Sequence, residues 1–371
     1  MRKIGFVVNP IAGMGGSVGL KGTDGLDILK EAVKRGAKPI APSRAKRFLR
    51  EVKRLNLNVK LLTASNVMGE DYCKEETVKH EVILNVKPPT SREDTIRAAK
   101  KIVSLNVNII VFVGGDGTAR DILDAVDEEC IVIGVPSGVK MYSSVFAIDP
   151  EAAARILKEY LEGVLNVEER EVLDIDENMF RRDKLNVKLY GYLKVPVKPL
   201  LIQSSKLPSI EANEYDNRVG IANYLKEIME EDTIYILGPG STIKTIAETW
   251  GVRKTLLGVD IYYKGRIISS DVDERELLRI LSKFRDKRVK LILTPIGGQG
   301  FILGRGNQQL TPKVLRTVGL DNLLIVATRS KIKGIKYLRV DTGDPLLDSK
   351  LRGKYVRVIV DYNEELMMKI C

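Results

Sequence analysis

The sequence predicts an α/β fold: a doubly wound parallel sheet in its first half, then a second α/β domain entered through β-rich connecting segments. Three observations predict it. Short, wholly apolar runs recur between helix-patterned stretches, as buried parallel strands do. Several of these runs end abruptly in glycine-rich turns, as strands feeding βα loops do. The same rhythm returns after about residue 233, so the second half is built the same way.

The elements justify this in order. Residues 4–8 form a short apolar strand ending at Asn9-Pro10, and a glycine-rich loop runs on to Gly25. Residues 26–35 read as a helix stopped by Gly36. In 43–55 Ala45, Phe48, Leu49, Val52 and Leu55 recur at helical spacing, with Ser43 placed to cap. Residues 60–63 and 82–85 read as strands, and Ser91 with Asp94 starts a helix to about 104. The strand 108–113 runs straight into Gly114-Gly115-Asp116-Gly117-Thr118. A helix then opens at Thr118, with Asp121 three residues on, and 131–135 is the next strand. Residues 164–197 have strand-like stretches, with prolines at Pro196, Pro199 and Pro208, which suggests β-rich connecting structure and a boundary. Strands at 233–237, 255–261, 289–294 and 322–328 then alternate with helices at 243–250, 273–285 and from Thr311-Pro312. The expected domains are 1–150, 151–337 and a β-rich tail, 338–371, packing back on one of them.

Bulk properties bound the function. The 371 residues fit about two domains. The net charge of +11 attracts anions without choosing among them. One histidine, His80, argues against a histidine metal site or a Ser-His-Asp hydrolase, and the three cysteines have neither disulfide nor zinc spacing. No apolar run approaches the ~20 residues of a membrane span. The opening MRKIGFVV reads as a strand rather than a leader, so a cytoplasmic location is expected. Ten Lys and Arg between residues 34 and 60 face only Glu51. With little aromatic interleaving, that stretch reads as a solvated face and not as a nucleic-acid surface.

The chemistry concentrates in loops. Glycines at 114, 115 and 117 let backbone amides approach an anion, and the following helix N-terminus adds positive potential. Asp116 beside bound phosphate makes sense if it orients or deprotonates an acceptor hydroxyl, or holds Mg2+ through water. The loop 9–25, NPIAGMGGSVGLKGTDG, offers Asn9, Gly13, Gly15, Gly16 and Lys21 to phosphate, though it lacks a Walker ending. Lys140, in 136–140, would sit beside Gly114–Thr118 if their strands are neighbours. In the second half, 238–242 is a candidate anion nest. The loop 294–309, TPIGGQGFILGRGNQQ, offers Gly297, Gly298, Gln299 and Asn307 to a nucleotide. Asp341-Thr342-Gly343-Asp344 is either a metal or ribose site or a turn.

These motifs resemble those of the superfamily joining NAD kinases, diacylglycerol kinases and phosphofructokinases. Residues 9–25, 114–121, 136–142 and 294–309 look most like the archaeal and bacterial ATP-NAD kinase-like family, and the resemblance runs over nearly the whole chain. It implies an N-terminal domain of NAD kinase type, with phosphate bound at Gly114, Gly115, Gly117 and Thr118. It further implies that Asp116 acts on the acceptor hydroxyl, with ATP or polyphosphate and Mg2+ as donor system and NAD as acceptor. A homo-oligomer is compatible with it. The sequence departs from well-characterised NAD kinases, which carry an Asn-Glu pair and a Thr-Pro-Thr-Gly-Ser-Thr segment. Here only Asn213-Glu214 and Thr294-Pro295-Ile296-Gly297-Gly298 answer to them. The alternatives are a kinase of another hydroxyl metabolite, a lipid kinase, and a nucleotide-binding sensor without catalysis.

Overall fold

A computed structural model describes residues 1–15, 18, 26–107, 109–126, 129–138, 141–175, 187–198, 202 and 212–371. Five strands of the first half run parallel: β1 (Arg2–Val8), β2 (Val59–Ala64), β3 (His80–Leu84), β4 (Ile109–Gly114) and β5 (Ile131–Pro136). Along β4 the pleat sends Ile109, Val111 and Val113 into one core and Ile110 and Phe112 into the other. Both faces are therefore buried, which is why the run carries no polar residue. One face is covered by α2 (Ala41–Arg54) and α6 (Pro150–Leu161), with Phe48 stacked on Phe6. The other is covered by α4 (Arg92–Val103) and α5 (Asp116–Leu123). Helices α1 (Leu26–Lys34) and α3 (Glu70–Glu75) complete this half.

Two strands beyond residue 150 extend the same sheet. β6 (Val167–Ile175) and β7 (Val187–Pro196) pair antiparallel, and β7 lies beside β5, giving the order β3-β2-β1-β4-β5-β7-β6. The connecting segment expected to open the second domain thus belongs to the first sheet. The start of α2 also differs from expectation. Pro42 sits in its first turn, where a missing amide costs little, and Ser43 lies inside the helix with its Oγ donating to the Ile40 carbonyl.

The second sheet has the order β10-β9-β8-β11-β13-β15-β16. Its centre is parallel: β8 (Thr233–Leu237), β11 (Arg288–Leu293), β13 (Leu323–Val326) and β15 (Tyr355–Asp361). Antiparallel strands β9 (Asp260–Tyr263), β10 (Arg266–Ser269) and β16 (Glu364–Lys369) form its edges. Lys264 and Gly265, both at positive φ, turn the β9–β10 hairpin as such tight connections require. Helices α7 (Ala212–Ile228), α8 (Ser241–Thr249), α9 (Glu274–Lys283), α10 (Pro312–Val318), α11 (Arg329–Lys333) and α12 (Pro345–Leu351) complete it. A small ladder of β12 (Phe301–Leu303) and β14 (Arg339–Val340) stands beside it.

Candidate active site

The first sheet changes direction of assembly between β1 and β4. From β1 the chain winds outward through β2 and β3, then returns past β1 to lay down β4 and β5. The crevice beyond the carboxyl ends of β1 and β4 is where open α/β sheets bind ligands. Asn9 leaves β1 there, its amide donating to the Val113 carbonyl at 3.0 Å. Its side chain ties two loops together: Nδ2 donates to Thr118 Oγ1 at 2.9 Å, and Oδ1 accepts from the Ile11 amide at 3.3 Å.

The glycines around this crevice are closely packed. A Cβ on Gly114 would stand 2.3 Å from Thr118 Cβ, and one on Gly115 would stand 3.1 Å from Gly138 Cα. The Ser137 amide donates to the Gly114 carbonyl at 2.9 Å. The loops after β1, β4 and β5 are thus one surface, and β4 and β5 are neighbours, as the placement of 136–140 requires.

The helix opens at Asp116, not Thr118, with Gly115 as its extended N-cap. Asp121 does not cap it; the Asp121 carboxylate takes the Arg92 guanidinium of α4 at 2.6 Å. The first amides of a helix have no intrahelical acceptor, so 116–118 present positive potential to the crevice.

Asp116 is half-buried at the start of this helix. One carboxylate oxygen accepts from the Tyr142 amide at 2.8 Å and the other from the Ser143 amide at 3.0 Å. A carboxylate oxygen has two lone-pair positions, so two amides fix the group without exhausting its capacity to accept from a hydroxyl. Burial first, and then the Asp116 charge, push the Tyr142 phenol above its usual range, so it stays neutral. Nearby Ser137 is buried, and its hydroxyl has no partner among the described residues.

Side chains of the second half reach this loop. Gln299 Nε2 donates to the Met141 carbonyl at 3.1 Å, Gln308 Nε2 lies 3.5 Å from the Gly138 carbonyl, and Arg305 Nη2 donates to the Ile148 carbonyl. Gln299 and Asn307, expected to meet a ligand, are both buried and both hold protein. Asn307 accepts from the Gly304 amide and donates to the Ile302 carbonyl, each at 2.9 Å, stapling its own loop. Gly297 and Gly298 form the turn before them, and no atom lies within 4 Å of a Cβ built on Gly297.

Gly13 and Gly15 are buried in the turn after β1, and Gly117 lies in the first turn of α5. Gly16, Lys21 and Lys140 lie outside the described residues. Gly240 at φ 120° is the N-cap of α8, and Lys331 bridges Thr242 and Thr294 at 2.7 and 3.0 Å on the carboxyl edge of the second sheet. Glu214 pairs with Arg218 inside α7. Asp344 caps α12 and Thr342 binds Asp348, so that part of the Asp-Thr-Gly-Asp segment is a turn. Asp341 is buried between Arg44 at 2.5 Å and Arg305 at 3.3 Å, joining the two halves. Sequence reasoning missed the roles of the Tyr142 and Ser143 amides, which carry no side-chain signature.

The family model described as "ATP-NAD kinase N-terminal domain" matches residues 4–165, and that described as "ATP-NAD kinase C-terminal domain" matches 230–370. No curated protein matches the sequence. Among solved structures, "A putative diacylglycerol kinase from Bacillus anthracis str. Sterne" shares 16% identity at a TM-score of 0.23, over 47% of this chain. A second structure so described shares 18% at 0.22, also over 47%. The chain spans 45% and 43% of the lengths of these two proteins. The branched-chain amino acid transporter substrate-binding protein LivJ from Streptococcus pneumoniae shares 12% at 0.28, over 88% of this chain and 63% of its own.

Proposed function

Since the chain belongs to the ATP-NAD kinase family, a family of small-molecule kinases, we propose that it transfers a phosphoryl group from ATP to a hydroxyl of NAD, making NADP. The observation that carries this reading is the Asp116 carboxylate, held by the Tyr142 and Ser143 amides at the mouth of the crevice. Phosphoryl transfer asks a protein for positioning and charge stabilisation more than for covalent chemistry. The glycine loop and the start of α5 offer both to the phosphates. Asp116 accepts the hydrogen of the attacking hydroxyl, which raises the density on the hydroxyl oxygen as its bond to the γ-phosphorus forms and the bond from that phosphorus to the β,γ-bridging oxygen breaks, the electron pair leaving with ADP. Asn9 supports the loop by fixing Thr118.

Among the described residues no three carboxylate, histidine or cysteine groups converge on a metal position. Mg2+ would fit as an ion carried on the donor's phosphates, where Asp116 would meet it through water and the ion would neutralise phosphate charge.

The test is purified protein with Mg2+, ATP or polyphosphate, and a panel of hydroxyl acceptors including NAD, with products identified by mass spectrometry. NADP is the expected product. Asp116→Asn is expected to lose about 10²–10⁴-fold in turnover while keeping its nucleotide affinity. A different phosphorylated product would replace NAD as acceptor. No product from any acceptor would remove the catalytic reading and leave a nucleotide-binding sensor; full turnover by the variant would keep the kinase and remove Asp116 from its chemistry.

A further inference from the structure

We propose that Gln299, in the second half of the chain, is a positioning residue for Asp116 and acts through one peptide plane, Met141–Tyr142. The carbonyl of that peptide accepts from Gln299 Nε2 at 3.1 Å, and its N–H donates to Asp116 at 2.8 Å. A peptide group is rigid, so fixing its oxygen fixes the direction of its N–H. Hydrogen bonds in series also polarise one another, which makes the amide a better donor to the carboxylate.

Gln299 is built to hold this position. The residue is 2% exposed. Its own amide donates to the Ile296 carbonyl at 3.1 Å, and its carbonyl accepts from Arg339 at 3.0 Å. The flanking Gly298 and Gly300 sit at φ 72° and 77°, where other residues are strained. A Cβ on Gly300 would meet the Tyr337 carbonyl oxygen at 2.6 Å, so that segment lies flat against its support. Gln308 and Arg305 touch the same loop at Gly138 and Ile148, but Gln299 alone of the three meets the peptide whose far side holds Asp116. The second half thereby sets the orientation of the acid in the first. The consequence for turnover rests on the kinase reading above; the relay does not.

The test uses the full chain with Gln299→Leu, which has no donor, and Gln299→Asn, which is one methylene too short to reach. Amide hydrogen exchange at Tyr142 and Ser143 is expected to quicken about tenfold, the factor implied by the net worth of one hydrogen bond, while exchange in β8 and β11 is retained. In the kinase assay kcat is expected to fall about tenfold, with KM for ATP within about twofold. Unchanged exchange at Tyr142 in both variants overturns the relay whatever the activity. Faster exchange with undiminished kcat overturns the positioning role. Faster exchange in variants of a protein that phosphorylates nothing supports the relay and overturns the role assigned to Asp116.

Discussion

Gly13 shows how tightly single residues are specified at the crevice. Its φ is 78°, and a Cβ built on it would stand 1.8 Å from the Ser137 carbonyl oxygen. Two separate penalties then fall on any substitution: a left-handed backbone costs about 1–2 kcal/mol, and an overpacked contact about 1–3. Gly13→Ala is therefore expected to destabilise the protein by about 2–5 kcal/mol and to weaken nucleotide binding, because the loops after β1 and β5 must part. Urea unfolding with a nucleotide titration checks both, and an unchanged midpoint would contradict the close approach. Cys73, outside the crevice, is inert by comparison. Burial, reinforced by Glu70, pushes the Cys73 thiol up to about 12, so it is no thiolate at neutral pH.

At the scale of elements, α4 and α5 are coupled where the sequence suggested independent caps. Ser91 donates to Asp94 from its amide at 2.9 Å and from its hydroxyl at 3.1 Å, closing the start of α4. Asp94→Ala is expected to cost about 1 kcal/mol, which for a domain of this size lowers Tm by roughly 2–4 °C. Nucleotide affinity should be retained, since Asp94 bonds Ser91 and Arg97 at its own helix end; calorimetry and binding separate the two. The start of α4 was legible because its cap is local. The start of α5 was not, because Gly115 has no capping side chain and Thr118 with Asp121 imitates a cap three residues later. What draws Asp121 away is Arg92, 29 residues off in sequence. β4 and its glycine turn were legible because a strand buried on both faces is an unbroken apolar run. The placement of β6 and β7 was not, since a hairpin's sequence does not say which sheet it extends. Asn307 misled for a related reason: an amide among glycines reads alike whether it binds a ligand or its own loop.

On the scale of the whole molecule, the two halves meet through a buried charge cluster that no local pattern announces, since Arg44 and Asp341 are 297 residues apart. The basic stretch between 34 and 60 is in part this interface. Arg44 is buried on Asp341, Arg47 is shared between Glu151 and Asp341, and Arg50 pairs with Glu76. Burial alone would raise the Asp341 carboxyl, but Arg44 and Arg305 outweigh it and hold it far below its usual range. Arg305, fully enclosed and facing Arg44, is lowered to about 10 and still carries its charge at neutral pH. A carboxyl whose folded value lies below its unfolded value of about 3.9 adds stability above that value. That stability drains away as pH falls from about 4 towards the folded value. Asp341→Asn leaves two buried guanidinium groups without their counter-charge, so about 3–5 kcal/mol is expected to be lost at pH 7. The same comparison at pH 3 should show a smaller gap, because acid has begun to remove the native charge as well. Chemical unfolding of both proteins at the two pH values measures it. A gap that widened in acid would mean that Asp341 is neutral in the folded protein, and that Arg44 and Arg305 are held together by something other than its charge.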